Sequence, residues 1–313
     1  MNEENNIFIG IDVSKDYLDI HFDHKHYRIK NNSTMILKFI KTNVLQFVTN
    51  IKLCALESTG GYERLVMKIL QNSGVAVHRA HPNKVYAFAK VKGHFAKTDK
   101  LDAALLEQYA AFVSDHEPGD EILSKTQESL RSLKSVETDL QTNIAANKNR
   151  LHHLDGKAAS YVKKQIIFCE KQLKQIRLEI DELIEQDEDL SRKRAIVTSY
   201  KGVGKRVSSV LLISLPELGK LNSKEIASLV GLAPKTNESG KKVFKAHISG
   251  GRFAVRHALY MSALVATRYN ESMRAFYERL LLAGKPPKVA LVAVMRKIIV
   301  CLNAMLKNNS FFT

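Results

Sequence analysis

The spacing of apolar and polar positions changes its period twice along this chain. Between Ile7 and Asn31 three short runs, IFIGIDVS, YLDIHFD and HYRIKN, are rich in β-branched and aromatic residues, and the turn-like Ser14-Lys15-Asp16 separates the first two. This pattern predicts three antiparallel strands. MILKFIKTNVLQFV then takes a helical period, with Ser33-Thr34 as the candidate cap. KLCALES reads as a short buried strand, GGYERLVMKILQNSG as a helix closed by Gly74, and VAVHRAHP as another strand. NKVYAFAKVKG and TDKLDAALLEQYAAFV follow as helices, so residues 1–116 are expected to form an α/β layer domain.

From about Leu123 to Leu190 the chain becomes long, charged helix. Leu130, Leu133, Leu140, Ile144 and Leu151 repeat on one face, as do Leu173, Ile176, Ile180 and Leu183, with Asp155-Gly156 as the break between them. Residues 117–194 are therefore expected to form a helical hairpin or coiled coil. Such narrow seams need a partner helix, which favours an oligomerisation arm over a purely solvated one. Residues 195–313 are mostly helical. In SYKGVGKRVSSVLLISL two apolar segments flank a Gly-Val-Gly turn, the pattern of a helix-hairpin-helix. Its turn amides and helix N-terminus can hold a phosphate without reading sequence, and Lys201, Lys205 and Arg206 stand beside it. An ordinary helix–loop–helix is the alternative. The predicted class is α/β plus α.

Charge narrows the range of partners. The 313 residues include 48 Lys+Arg against 32 Asp+Glu, a formal net charge of +16. That excess favours polyanions, nucleic acid first, although a ribosome-associated or membrane-surface protein could share it. The three cysteines, Cys54, Cys169 and Cys301, are far apart and form no CxxC, which argues against a disulfide framework and a structural zinc site. MNEENNIFIGID lacks the basic start of a signal peptide, and no apolar run approaches the ~20 residues of a membrane span. A soluble, cytoplasmic protein without a membrane partner is expected.

Four carboxylates suggest chemistry. Asp12 interrupts an apolar strand, where an aspartate is disfavoured and costly if buried unpaired. Glu57 stands at the exit of KLCAL, and Asp99 and Asp102 share one face of a helix. Oxygen-only ligands on two strand ends and a helix suit Mg²⁺ or Mn²⁺ rather than zinc. Simpler roles stay open: Asp99 could be a helix N-cap and Glu57 could cap the helix after Gly60-Gly61. Asp16 and Asp19 fit a turn and a solvent face. Ser239, in Asn-Glu-Ser-Gly, reads on local chemistry as a turn residue.

IGIDVSK, ALESTGGYE and KTDKLDA, in this order, resemble the RuvC-like DEDD transposases of the "one-ten" insertion-sequence family, which includes the Piv-type DNA invertases. GVGKRVSSVLL, ASLVGLAPKTNESGKK and ISGGRFAVRHALYM resemble that family's C-terminal domain. The resemblance implies an RNase H-like N-terminal fold in which Asp12, Glu57, Asp99 and Asp102 bind divalent metal. It also implies that Ser239 attacks a DNA phosphate and forms a phosphoserine link. It further implies an active site shared between protomers of a dimer or tetramer, donor and target DNA as substrates, and a bridge non-coding RNA that selects them.

Lys235, Lys241, Lys242 and Lys245 would then offset phosphate charge near Ser239. Arg252 and Arg256 could hold phosphate or RNA, although Arg256 could equally pack its stem along a helix. The family usually has Ser-Lys-x-Gly where this chain has Ser249-Gly250-Gly251, which makes Ser249 a rival nucleophile, better read as a helix cap. Ser58 belongs to a turn. The alternatives are a hydrolytic RuvC-like nuclease or junction resolvase, and a non-catalytic nucleic-acid-binding protein. An actin-like sugar kinase, suggested by GIDVSKD, lacks later phosphate loops.

Overall fold

The three alternating runs form β1 (Ile7–Val13), β2 (Tyr17–Phe22) and β3 (Lys25–Lys30), paired antiparallel. β4 (Ile51–Glu57) and β5 (Val77–Ala80) add to them in parallel, giving the order β3-β2-β1-β4-β5. The computed structural model describes residues 6–93, 98–116, 119–235, 238–239, 242–243 and 247–312, the backbone alone for 238–239 and 242–243. The chain divides into two units, Met1–Ile122 and Leu123–Thr313.

Successive strand side chains point to opposite faces, so the sheet has two differently used surfaces. Ile9, Ile11, Leu18, Ile20, Phe22, Cys54 and Leu56 share one core with α1 (Ser33–Phe39) and α2 (Arg64–Asn72). Leu53, Ala55 and Ala80 share another with α3 (Pro82–Val91) and α4 (Asp99–Val113). Helix α1 is capped by Asn32, whose side chain accepts from the Met35 amide, one residue before the expected Ser33-Thr34 pair.

The same alternation turns Gly10 toward α4. A Cβ at this position would be driven into the Ala103 carbonyl and the Glu107 amide, because α4 lies directly on the β1 backbone. Gly10→Ala therefore cannot be absorbed by a side-chain shift. It is expected to destabilise the chain by about 2–3 kcal/mol, the scale of an overpacked core, seen as a lower thermal midpoint.

In the second unit, Ser124 and Gln127 form a capping box at the start of α5 (Lys125–Leu151). The chain then turns into α6 (Gly156–Gln186) and α7 (Glu188–Ser199). Leu130 is buried with Ile176, Ile180 and Ile184, and Ile144 with Val162 and Ile166. The two seams thus cover one another, so the partner helix that each requires is supplied within the chain. α8 (Lys205–Ser214), α9 (Ser223–Val230), α10 (Phe253–Tyr269), α11 (Glu271–Leu282) and α12 (Pro287–Lys307) complete the bundle.

Helix α12 corrects one expectation. By length and composition it is apolar enough to cross a membrane, with a mean hydropathy of 2.1, against the expectation that no run approaches that length. Its apolar residues lie on more than one side because it is a central helix: Val294, Ile298, Ile299 and Leu302 are fully buried in the bundle core.

A buried carboxylate ties the hairpin arms. Glu137 of α5 accepts from Lys134 Nζ at 2.6 Å and from Arg177 Nε of α6 at 2.8 Å. Burial pushes its carboxyl up, but the hydrogen bonds and charges of Lys134 and Arg177 outweigh this and hold it below the ordinary value. A carboxyl depressed in the folded state stabilises above its unfolded pKa, and that contribution disappears as pH falls through the folded value. The hairpin should therefore lose stability below about pH 4, and Glu137→Gln should flatten that acid limb of the thermal midpoint against pH.

Candidate active site

Register brings the N-terminal carboxylates to one end of one sheet face. β1 and β4 run parallel with Ile11 beside Leu56, so Asp12 and Glu57 are the next residues along neighbouring strands. Both have the parity of Gly10 and Ala55, the face that α4 covers. Asp99 and Asp102 occupy the first turn of α4. Asp102 immediately precedes Ala103, whose carbonyl lies against Gly10.

The local charge is strongly negative. Partial burial, followed by the charges of Asp102 and Asp99, raises the Asp12 carboxyl above its ordinary value. A hydrogen bond from the Val13 backbone opposes this, and Asp19 adds to it. Asp19 lies directly across from Asp12 in the β1–β2 ladder and is only 4% exposed, which corrects its reading as a solvent-face residue. It accepts from His26 Nε2 at 2.8 Å and lies 3.6 Å from Arg28. Arg28 also reaches Asp99 at 3.3 Å, bridging β2 to the start of α4. On the same face His21 Nδ1 donates to Glu107 Oε2 at 2.8 Å. Asp19 could have been found from the hairpin register alone, since a turn at Ser14-Asp16 sets Asp19 opposite Asp12.

Two capping alternatives fall away. Thr98 is the N-cap of α4, its hydroxyl accepting from the Leu101 amide, so Asp99 is already inside the helix. After β4 it is Glu63, 2% exposed, that organises the loop. Its carboxylate accepts from the Thr59 amide and hydroxyl and from the Gly61 amide at 2.8–3.2 Å. Ser58 lies just past β4, its amide bonded to the Ala80 carbonyl.

Ser239 sits in the second unit, at the end of the short strand β6 (Glu238–Ser239), opposite Lys242 of β7 (Lys242–Val243). Lys235 is exposed, and its backbone pairs with His247 at the base of this hairpin. Lys241 and Lys245 lie outside the described residues. Lys201 is exposed in the turn between α7 and α8, where Gly202 at φ 115° lies against Ser262 and Ala266 of α10. Lys205 reaches Glu185 at 3.4 Å and Arg206 reaches Asp181 at 3.2 Å, both on α6. Arg252 and Arg256 bond to protein partners: Arg252 to Glu217 and the Ser214 carbonyl, Arg256 to the carbonyls of Val230 and Gly250. Ser249 is not the cap of α10; the N-cap is Arg252, without a side-chain cap.

Residues 9–156 match a DEDD transposase family, and residues 194–278 match the transposase family described as IS116/IS110/IS902. The chain belongs to the IS110 family of transposases. It is similar over 97% of its length, and 97% of theirs, to the pilin gene-inverting proteins of Moraxella bovis and Moraxella lacunata, at 26% identity each. It is also 32% identical over 119 residues to an insertion element IS110 protein of Streptomyces coelicolor, covering 37% of this chain and 29% of that one.

Membership in a DEDD family implies a divalent metal in general. The donors here fit one: they are carboxylate oxygens, and the mutual repulsion that raises Asp12 is what a hard cation relieves. Among the described residues no three Asp, Glu, His or Cys side chains converge closely enough to enclose an ion as they stand. The set is therefore gathered but not closed, with Arg28 bonded to Asp99. Since Asp12 is a repelled, half-buried charge, Asp12→Asn should raise the metal-free thermal midpoint. The difference should shrink as salt screens the neighbouring carboxylates.

Proposed function

We propose that this IS110-family transposase cleaves and rejoins DNA strands through Ser239, assisted by a divalent-metal site of Asp12, Glu57, Asp99 and Asp102 on an RNase H-like domain. The observation that carries the reading is the gathering of these carboxylates on one sheet face, with Asp12 raised by burial and by its acidic neighbours. Groups are kept in such company where a cation or a reaction uses them. Mg²⁺ or Mn²⁺ bound there would polarise a phosphate and offset charge developing on its oxygens.

In this reading the Ser239 oxygen forms a bond to phosphorus while one phosphodiester P–O bond breaks. The serine proton leaves to a base, and the departing sugar oxygen takes up a proton. Attack by a hydroxyl of another strand end reverses the exchange and frees the serine. Bond energy is conserved in the phosphoserine, so no external energy source is needed. The basic excess and exposed lysines such as Lys201 and Lys235 supply affinity for phosphates without base readout. Choice of donor and target is then delegated to pairing with a bridge RNA, and the working form is a homo-oligomer acting in the cytoplasm.

The test is to incubate the full chain with supercoiled donor DNA, RNA transcribed from its flanking DNA, and Mg²⁺. A covalent protein–DNA adduct mapping to Ser239 is expected, lost in Ser239→Ala, with Asp12→Asn lowering adduct yield at least 100-fold. Added Mn²⁺ should raise the thermal midpoint of the native chain but not of Asp12→Asn. Strand cutting that survives Ser239→Ala would instead identify a hydrolytic nuclease, and a modified Ser249 would move the nucleophile.

A further inference from the structure

The hairpin bearing Ser239 leaves its bundle between α9 and α10, and its neck is closed by contacts that strand pairing does not require. Gly231 ends α9 in the left-handed region at φ 76°, and Gly250 and Gly251 both lie at φ 68°. Their backbones touch: a Cβ on Gly231 would strike the Gly250 carbonyl, and one on Gly251 the Gly231 amide. Arg256, in the first turn of α10, donates Nη1 to the Val230 carbonyl at 3.1 Å and to the Gly250 carbonyl, tying the two sides of the neck together. Arg252 donates to the Ser214 carbonyl at 2.8 Å and grips both carboxylate oxygens of Glu217, one of them at 2.6 Å. Its own amide reaches the Leu229 carbonyl at 3.3 Å. Beyond the neck, Lys235 and His247 exchange backbone hydrogen bonds at 2.9 and 3.3 Å.

We propose that Glu217, Arg252 and Arg256 form a brace that sets where Ser239 stands, so that the two arginines are positioning residues rather than contacts to nucleic acid. The inference rests on Ser239 being the nucleophile. A two-stranded hairpin this short has little stability of its own, so its direction is inherited from the neck. A bidentate Arg–carboxylate pair fixes direction as well as distance, which a lysine cannot reproduce. A nucleophile displaced by about 1 Å can lose about 100-fold in rate.

The experiment measures adduct formation, DNA affinity with its salt dependence, and thermal midpoint for full-length Glu217→Gln, Arg252→Lys, Arg252→Glu and the exchanged pair Glu217→Arg/Arg252→Glu, with Ser239→Ala alongside. Glu217→Gln and Arg252→Lys should each slow adduct formation at least 10-fold while affinity and salt slope stay within twofold of the native chain. The exchanged pair should recover at least part of the rate lost by Arg252→Glu alone. The brace is overturned by Arg252→Lys at native rate, by Arg252→Glu weakening DNA binding with no rescue by Glu217→Arg, or by rate losses matched by a proportionate fall in thermal midpoint. Adduct formation that persists in Ser239→Ala strikes instead at the nucleophile assignment. A native-like Glu217→Gln together with an inactive Ser239→Ala overturns the brace alone.

Discussion

With only hydrogen at residue 10, α4 lies against the backbone of β1 rather than on a layer of side chains. That contact fixes both the height and the register of α4, because the helix can settle this deeply only where one strand residue lacks a Cβ. Asp102 directly precedes the helix residue whose carbonyl meets Gly10, and Asp12 lies two residues further along the strand. The proximity of their charges therefore follows from a packing constraint. The His21–Glu107 hydrogen bond and the Arg28–Asp99 ion pair hold the helix laterally, on the same face as that contact. A close backbone approach and a repelled carboxylate oppose each other here, and the apolar core of α4 with Leu53, Ala55 and Ala80 offsets the repulsion.

Arginines close several of the joints between elements. Arg28, Arg177, Arg194, Arg206, Arg252 and Arg256 all bond to protein groups, and several bridge two elements. Arg194 shows the pattern at its most buried, donating to Asp181 of α6 at 3.0 Å and to the Ser209 hydroxyl of α8 at 2.7 Å. A planar guanidinium with fixed donors suits such joints, whereas a lysine is a mobile point charge. Some lysines also pair with carboxylates, Lys134 with Glu137 and Lys205 with Glu185, whereas Lys201 and Lys235 stand exposed. A field carried by mobile, hydrated charges attracts phosphate without demanding a geometry.

The strands and helices were legible because their periods were clean: all five strands of the N-terminal sheet, both hairpin arms and the helical last third follow the alternation or the 3.6-residue repeat. What escaped depended on pairs of residues distant in sequence. Asp19 looked solvent-facing because its own run alternates; only the register against β1 shows it buried opposite Asp12. Glu63 carries no sequence signal of its role, because only a loop with two positive-φ glycines folds its side chain back onto the Thr59 and Gly61 amides. The seams of α5 and α6 read equally as a hairpin or a coiled coil, since periodicity states that a partner helix is needed without saying whose. For Arg252, charge cannot distinguish a phosphate from a carboxylate thirty-five residues away.

The carboxylates and the serine pose different mechanical problems. Carboxylates meant to hold a cation must be kept close against their own repulsion, which calls for a sheet and a helix locked by packing, and the Gly10 contact provides it. A hydroxyl meant to reach a strand of DNA needs a bounded direction with room around it. A short hairpin answers that need only if its stiffness is concentrated at the base. The three glycines make such a base possible by letting two loops meet backbone to backbone, and the two guanidinium groups close it. Any side chain at 251 would separate the neck from Gly231, so close apposition is what that position supplies.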